Sequence, residues 1–331
     1  MQPTHNVQRL LDLYGTMCRI RAFETAALNA HKEGVVPGPL HVSIGQEGVA
    51  TGVCLNLTAE DRITSNHRGH GHAIAKGAGV QGMMRELFGR EGGHCRGKGG
   101  SMHIADFSVG MLGANGVVSG GIPIAVGAAQ GLKMLKSSAI AVCFFGDGAI
   151  NRGPFLEGLN WAALYNLPVL FICEDNGVSA FTQTDSVTAG PGVIARAESL
   201  GVPGVTVDGN DVMAVDEAAA RLVAEVRGGK GPRLLHAKTY RITGHTSTDA
   251  ATWRDPADVE AAKKRCPIDR LSALLGERGV QAADLAAIRT KAEAEMAEAV
   301  VDAKGAPWPQ EAIAYEDVQD VGAVRFAGVS A

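Results

Sequence analysis

Residues 139–176 read AIAVCFFGDGAINRGPFLEGLNWAALYNLPVLFICEDN. Ala139–Phe145 is short, apolar and bounded by polar and Gly residues, the mark of a buried strand. Phe155–Tyr165 has the composition of a helix, and Pro168–Cys173 is a second short apolar run. Strand, helix, strand at this length predicts a right-handed crossover between two parallel strands. The fold expected is therefore α/β, with a central, mainly parallel sheet flanked by helices on both faces. Parallel strands end on the same side, so Asp147, just past the first, and Asn176, just past the second, are brought together at the crevice where open α/β sheets bind ligands. A carboxylate oxygen, an amide oxygen and a nearby carbonyl supply half of an octahedral shell for magnesium, which takes its other oxygens from phosphate and water. The glycines of Gly146-Asp147-Gly148-Ala149 let the backbone approach a diphosphate, and amides opening the next helix can donate to it. The same residues also read as a tight turn and a cap.

Working outward, Leu10, Leu13, Met17, Ile20 and Phe23 recur at spacings of three and four, predicting a helix from about Val7 to Ala30 that ends near Gly34. Gly45–Leu135 is dense in Gly and His, with no linker-like run. Beyond the central unit, a third strand is expected at Val202–Val207, a helix from about Met213 to Val226 and a fourth strand at Leu234–Ala237. A polar loop, Thr243–Asp255, follows, then a helix at Ala282–Lys304 and a tail from Gly305. This divides the chain into an N-terminal helix and arm (1–45), a diphosphate-binding α/β domain (46–260) and a C-terminal helical region with its tail (261–331).

The 331 residues suffice for one large domain or two without disulfides. With 31 basic and 35 acidic side chains the formal charge is −4, which gives a nucleic-acid footprint no support. The longest purely apolar run is Ala139–Phe145, against the ~20 residues a membrane helix needs. The N-terminus has no charged start followed by an apolar core, so the cytoplasm is the expected compartment. Cys18, Cys54, Cys95, Cys143, Cys173 and Cys266 are dispersed and read as reduced thiols.

Three other motifs carry less. Gly77–Gly82 matches the dinucleotide fingerprint letter for letter, but no buried strand precedes it and no acid stands where the ribose contact belongs. Gly92–Lys98 spells a phosphate-binding loop, yet Gly99 occupies the position that needs a Ser or Thr hydroxyl. His67, His70 and His72 suggest a transition-metal cluster, although the glycines between them fix no geometry.

The stretch from Gly146 to Asn176 resembles the thiamin-diphosphate motif of the alpha subunits of 2-oxo acid and acetoin dehydrogenases. GPLHVSIGQE, HRGHGH, GKGGSMHIAD, NGVVSG and YRITGHTSTD follow in that family's order over most of the chain, and HRGHGH with GKGGSMHIAD is most similar to the acetoin enzyme, with pyruvate dehydrogenase next. The resemblance implies the thiamin-diphosphate-binding fold, thiamin diphosphate with Mg2+ as cofactors, and an α2β2 heterotetramer with a beta subunit. It implies transfer of an acyl unit to lipoamide on the acyltransferase core of a multienzyme complex, with acetaldehyde lost from acetoin or carbon dioxide lost from a 2-oxo acid. Pyruvate and branched-chain 2-oxo acids remain alternative substrates. Carried over by residue, Asp147, Asn176 and the Val178 carbonyl hold magnesium. Gly148, Ala149, Arg68 and His67 hold the diphosphate, His67 standing where pyruvate enzymes often have Tyr. Gly116 and Val118 line the aminopyrimidine, though they read equally as the entry to a Gly-rich helix. Ala180 stands where relatives place a bulky wedge, leaving that role to Phe181 or a partner chain. Among proton carriers, His245 in the polar loop comes first, with His41 and His70 near the substrate carbonyl. The chain lacks a second α/β unit to provide the carboxylate for the aminopyrimidine, so the site is expected at an interface with the beta subunit. The competing classes are a nicotinamide-dependent oxidoreductase and a non-catalytic assembly module.

Overall fold

The computed structural model describes residues 5–316. Helices α1 (Val7–Lys32) and α2 (Glu47–Cys54) precede strand β1 (Arg62–Thr64), and α3 (His70–Lys76) and α4 (Val80–Leu87) lead to β2 (Met111–Gly113). Then follow α5 (Gly121–Met134), β3 (Ala141–Gly146), α6 (Gly153–Leu164) and β4 (Val169–Asp175). After the hairpin β5 (Val178–Ser179) and β6 (Thr182–Gln183) come α7 (Val193–Ser199), β7 (Gly204–Asp208), α8 (Val212–Arg227) and β8 (Arg233–Lys238). Three helices, α9 (Pro256–Lys263), α10 (Pro267–Glu277) and α11 (Ala282–Gly305), close the described chain.

Along β3 and β4 the side chains alternate. Ala141, Cys143, Phe145, Val169, Phe171 and Cys173 pack with α5, α6 and α7 on one face. Val142, Phe144, Leu170 and Ile172 pack with α2 and α8 on the other. A strand covered on both faces reads as a continuous apolar run, the pattern seen in the sequence. Each buried Leu, Ile or Phe here contributes ~1.5–3 kcal/mol. The sheet has six strands in the order β2-β1-β3-β4-β8-β7. All of its pairings are parallel. The expected α/β class, crossover and flanking helices are therefore present. On the second face, Gly52 of α2 sits against α8, where an added Cβ would lie 2.7 Å from Val215 Cγ1. An outer cluster joins α1, α4, α10 and α11, with α1 lying along α11 through the bidentate Arg19–Glu295 pair. The part of the expected tail beyond residue 316 lies outside the described residues.

Four strands escaped the sequence reading: the two-residue hairpin strands β5 and β6, and β1 and β2 of the main sheet. β1 and β2 have three residues each, too few to show a period, and lie in the Gly- and His-rich stretch. They correct the position of the crevice. β1 connects outward to β2 while β3 connects to β4 on the opposite side, so the connections diverge between the carboxyl ends of β1 and β3. The crevice expected between β3 and β4 thus opens one strand over, with β4 alongside.

Candidate active site

At these strand ends lies a cavity of about 230 Å3. The segment after β1 brings Asn66, His67 and Arg68; the one after β3 brings Asp147, Gly148 and Ala149; β4 and its hairpin bring Glu174, Asn176, Val178 and Ala180. Loops add His41, Gln46, Gly116, Val118 and His245. Eleven of the twelve residues singled out from the sequence thus share one wall; His70 does not. His70 is fully buried behind it, with Nδ1 2.9 Å from Glu24 Oε2 and Nε2 3.0 Å from Ser101 Oγ. The expected place beside a substrate carbonyl is therefore not where His70 stands.

One half of the wall suits a cation. The Asp147 carboxylate is 4% exposed and accepts the Thr184 hydroxyl. Burial, with the nearby Asp175 carboxylate adding to it, pushes its pKa up to about 6. Among the described residues no cation pairs with it. Asn176 Oδ1 accepts the Val178 amide at 3.2 Å, and Asn176 Nδ2 donates to Gln46 Oε1 at 3.2 Å, which turns the amide oxygen and the Val178 segment toward each other. Gly148 is needed by close approach: a Cβ there would lie 2.5 Å from Ser179 Oγ.

The other half suits an anion. Arg68, 7% exposed, donates to Val42 O at 2.7 Å, His245 O at 2.8 Å and His245 Nδ1 at 3.0 Å, with no carboxylate partner among the described residues. Arg241, 1% exposed, donates to Gly244 O, and its Nε and Nη2 have no partner among the described residues. Burial first and the neighbouring guanidinium groups next lower Arg68 to about 9 and Arg241 to about 10. Because guanidinium can only donate, His245 Nδ1 must accept, which leaves the proton on Nε2. The His41, His67 and His245 rings lie with centroids 4.9, 5.1 and 5.9 Å apart. Burial and then the Arg68 charge lower His41 and His245 to about 4, and drive His67 down further. His41 Nδ1 is buried without a partner among the described residues. A buried carboxylate without a cation partner, beside buried guanidinium groups without a carboxylate partner among the described residues, fits a divalent cation and a polyphosphate together. An anion placed there cancels the Arg68 and Arg241 fields, so the histidine pKa values rise toward their ordinary range. Binding of inorganic diphosphate near pH 5.5 is therefore expected to take up protons, read by calorimetry in buffers of different ionisation enthalpy; no buffer dependence would contradict this account.

The other motifs settle into structural roles. Gly77 ends α3 at φ 106° and Gly79 precedes α4, with no strand leading in. His67, His70 and His72 go to separate partners, His72 to Ser65 and Glu174, and no cluster of three metal-ligating side chains occurs among the described residues. Phe181 is 62% exposed and its ring stands 5.9 Å from His245 and 6.4 Å from Trp253, while the cavity wall at that point is Ala180. Sequence reasoning did not single out Arg241, Gln46 or Met102. All three lie inside quoted motifs, but nothing local marks a side chain whose partners come from distant loops.

The profile described as "Dehydrogenase E1 component" matches residues 15–312. The alpha subunit of acetoin:2,6-dichlorophenolindophenol oxidoreductase of Bacillus subtilis (strain 168) is 43% identical over 312 residues, covering 94% of this chain and 93% of that protein. Its counterpart from Cupriavidus necator is 43% identical over 305 residues, covering 91% of each chain. The chloroplastic pyruvate dehydrogenase E1 component subunit alpha-3 of Arabidopsis thaliana is 38% identical over 330 residues, covering 96% of this chain and 77% of that protein. With a parallel sheet, a switch-point cavity and the resembling motifs all in place, the chain belongs to the dehydrogenase E1 component family, whose members are thiamin-diphosphate-dependent oxidoreductases.

Proposed function

We propose that this chain is the alpha subunit of a thiamin-diphosphate- and Mg2+-dependent acetoin dehydrogenase, working with a beta subunit as an α2β2 heterotetramer that passes its acyl unit to a lipoyl acyltransferase core. The observation that carries the reading is the meeting, in one cavity wall, of the buried Asp147 carboxylate with the buried Arg68 guanidinium, while the buried Arg241 lies against His245 of the same wall. The acetoin preference rests on the 43% identity to acetoin-acting alpha subunits, against 38% for the pyruvate relative. Bound thiamin diphosphate supplies the carbanion-stabilising centre that lets a carbon–carbon bond beside a carbonyl break. Asp147, Asn176 and the Val178 carbonyl hold the metal; Arg68, His67 and the Gly148 and Ala149 amides, joined by Arg241, hold the diphosphate; Gly116 and Val118 back the aminopyrimidine. His245, neutral with its proton on Nε2, would donate to the substrate oxygen in this reading; its Nδ1 accepts from Arg68 and the His41 ring lies 5.1 Å away. His70 serves as a positioning residue between Glu24 and Ser101.

Within this reading the three-part division holds residues 46–260 as the cofactor domain, with 1–45 and 261–331 as the flanking regions. The cytoplasm is the proposed compartment; among the described residues no helix is long and apolar enough to cross a membrane. The test is dye reduction by the chain reconstituted with its unlike partner, thiamin diphosphate and Mg2+, using acetoin, pyruvate and branched 2-oxo acids. Acetoin is expected to give the highest kcat/KM by at least ~10-fold, a discrimination of about 1.4 kcal/mol. A preference for pyruvate reassigns the substrate, and turnover without magnesium overturns the metal assignment.

A further inference from the structure

Gly92–Lys98, which reads as a phosphate-binding loop without its hydroxyl, does bind an anion, and the anion is its own. Glu86, at the end of α4, is 0% exposed. Its Oε2 accepts the amides of Cys95 and Gly97, both at 2.8 Å, and its Oε1 accepts those of Gly99 at 2.7 Å and Gly100 at 3.0 Å. The amides of residues 95, 97, 99 and 100 converge on one carboxylate in a concavity like the backbone nests that elsewhere receive phosphate. The left-handed φ of 78° at Gly97 and 61° at Gly100 makes that folding possible.

The loop continues directly into the proposed cofactor wall. Ser101 meets His70 Nε2 at 3.0 Å, and Met102 lines the cavity. From the position of a Cβ on Gly116, Met102 Sδ lies 3.8 Å away and His103 Nε2 3.6 Å away. We propose that Glu86 is a built-in anion that templates the glycine loop, and so acts as a positioning residue that sets Met102 and His103 against Gly116, where the aminopyrimidine would rest. This rests on the thiamin-diphosphate reading for its consequence, though not for the templating itself. No side chain of the loop does this work: the four contacts are all main-chain amides, so any small carboxylate of the right size can replace Glu86.

The experiment compares wild type, Glu86→Ala and Glu86→Gln in the full chain reconstituted with its unlike partner, each with formate or with chloride at equal ionic strength. Two readouts are taken: tryptic cleavage after Arg96 and Lys98, and thiamin diphosphate affinity by calorimetry with Mg2+. In Glu86→Ala, cleavage is expected to accelerate and cofactor affinity to fall roughly 10–100-fold, the range for losing an outer-shell partner, with formate restoring both. Glu86→Gln is expected to fall between, because its NH2 group meets two amide donors. A resistant loop in Glu86→Ala, unchanged cofactor affinity, or no response to formate overturns the proposal. Should Glu86→Ala fail to fold, Glu86→Gln with wild-type affinity overturns it equally. If wild type itself fails to bind thiamin diphosphate, the functional reading falls, while cleavage and its suppression by formate still decide the templating.

Discussion

Asp147→Asn is expected to weaken Mg2+-dependent binding of thiamin diphosphate by at least ~1,000-fold, about 4 kcal/mol, while leaving the free chain as stable as wild type or more so. The two halves of this expectation have one cause. Asp147 provides the single formal charge in the proposed metal set, since Asn176 and the Val178 carbonyl are neutral, and a hard divalent cation depends on that charge. Without the cation the same carboxylate is a liability: it is 4% exposed, and burial raises its pKa to about 6. An acid whose pKa is raised on folding lowers stability at every pH above its unfolded value, so the neutral amide removes a cost. The Thr184 hydroxyl can still donate to the Asn oxygen. Calorimetric titration and thermal melts of the free variant check the two halves separately. Affinity within tenfold of wild type, or a variant that melts well below it, is inconsistent with Asp147 as a metal ligand.

The purified chain without an unlike partner is expected to show lipoyl-linked turnover at least ~1,000-fold below the reconstituted assembly, equivalent to ~4 kcal/mol of barrier. The wall explains why. Its carboxylates are Asp147 and Glu174, both delivered by β3 and β4, and Glu174 is engaged with His72 at 3.1 Å. On the Gly116 and Val118 side the wall offers backbone and apolar surface, with Val117 66% and Val118 44% exposed at the rim. An aminopyrimidine resting there would meet no acid among the described residues, so the proposed reading assigns that acid to a partner covering the rim. Full turnover by the isolated chain, with its monomeric size verified in the same preparation, is the result that would sink this.

Much of the site was legible because its main signal is local. Two apolar runs joined by a helix-length segment determine parallel pairing, and parallel pairing determines that Asp147 and Asn176 meet; the register Phe145 to Cys173 and Gly146 to Glu174 delivers them side by side. Arg68 and His245 came from the resemblance, and the structure shows the pair in direct contact across a large sequence separation. His70 misled because a histidine in a Gly- and His-rich motif gives no sign of whether its ring faces a cavity or, as here, a buried carboxylate. The phosphate-loop pattern at 92–98, set aside for want of a hydroxyl at Gly99, holds the backbone geometry it implies, but its anion comes from Glu86, in the helix before it.

By itself, then, the sequence determined the α/β class, the β3-α6-β4 unit and the carboxylate–amide pair beyond it, because hydrophobic periodicity and strand-end position are properties of short stretches of chain. The tertiary structure alone decided that β1 flanks β3 and moves the crevice, that Arg68 and Arg241 lie buried without carboxylate partners among the described residues, and that the glycine loop closes on Glu86. Those depend on which distant groups share a low-dielectric volume, and burial of charge is a property of the whole packed molecule, which no local window of sequence contains.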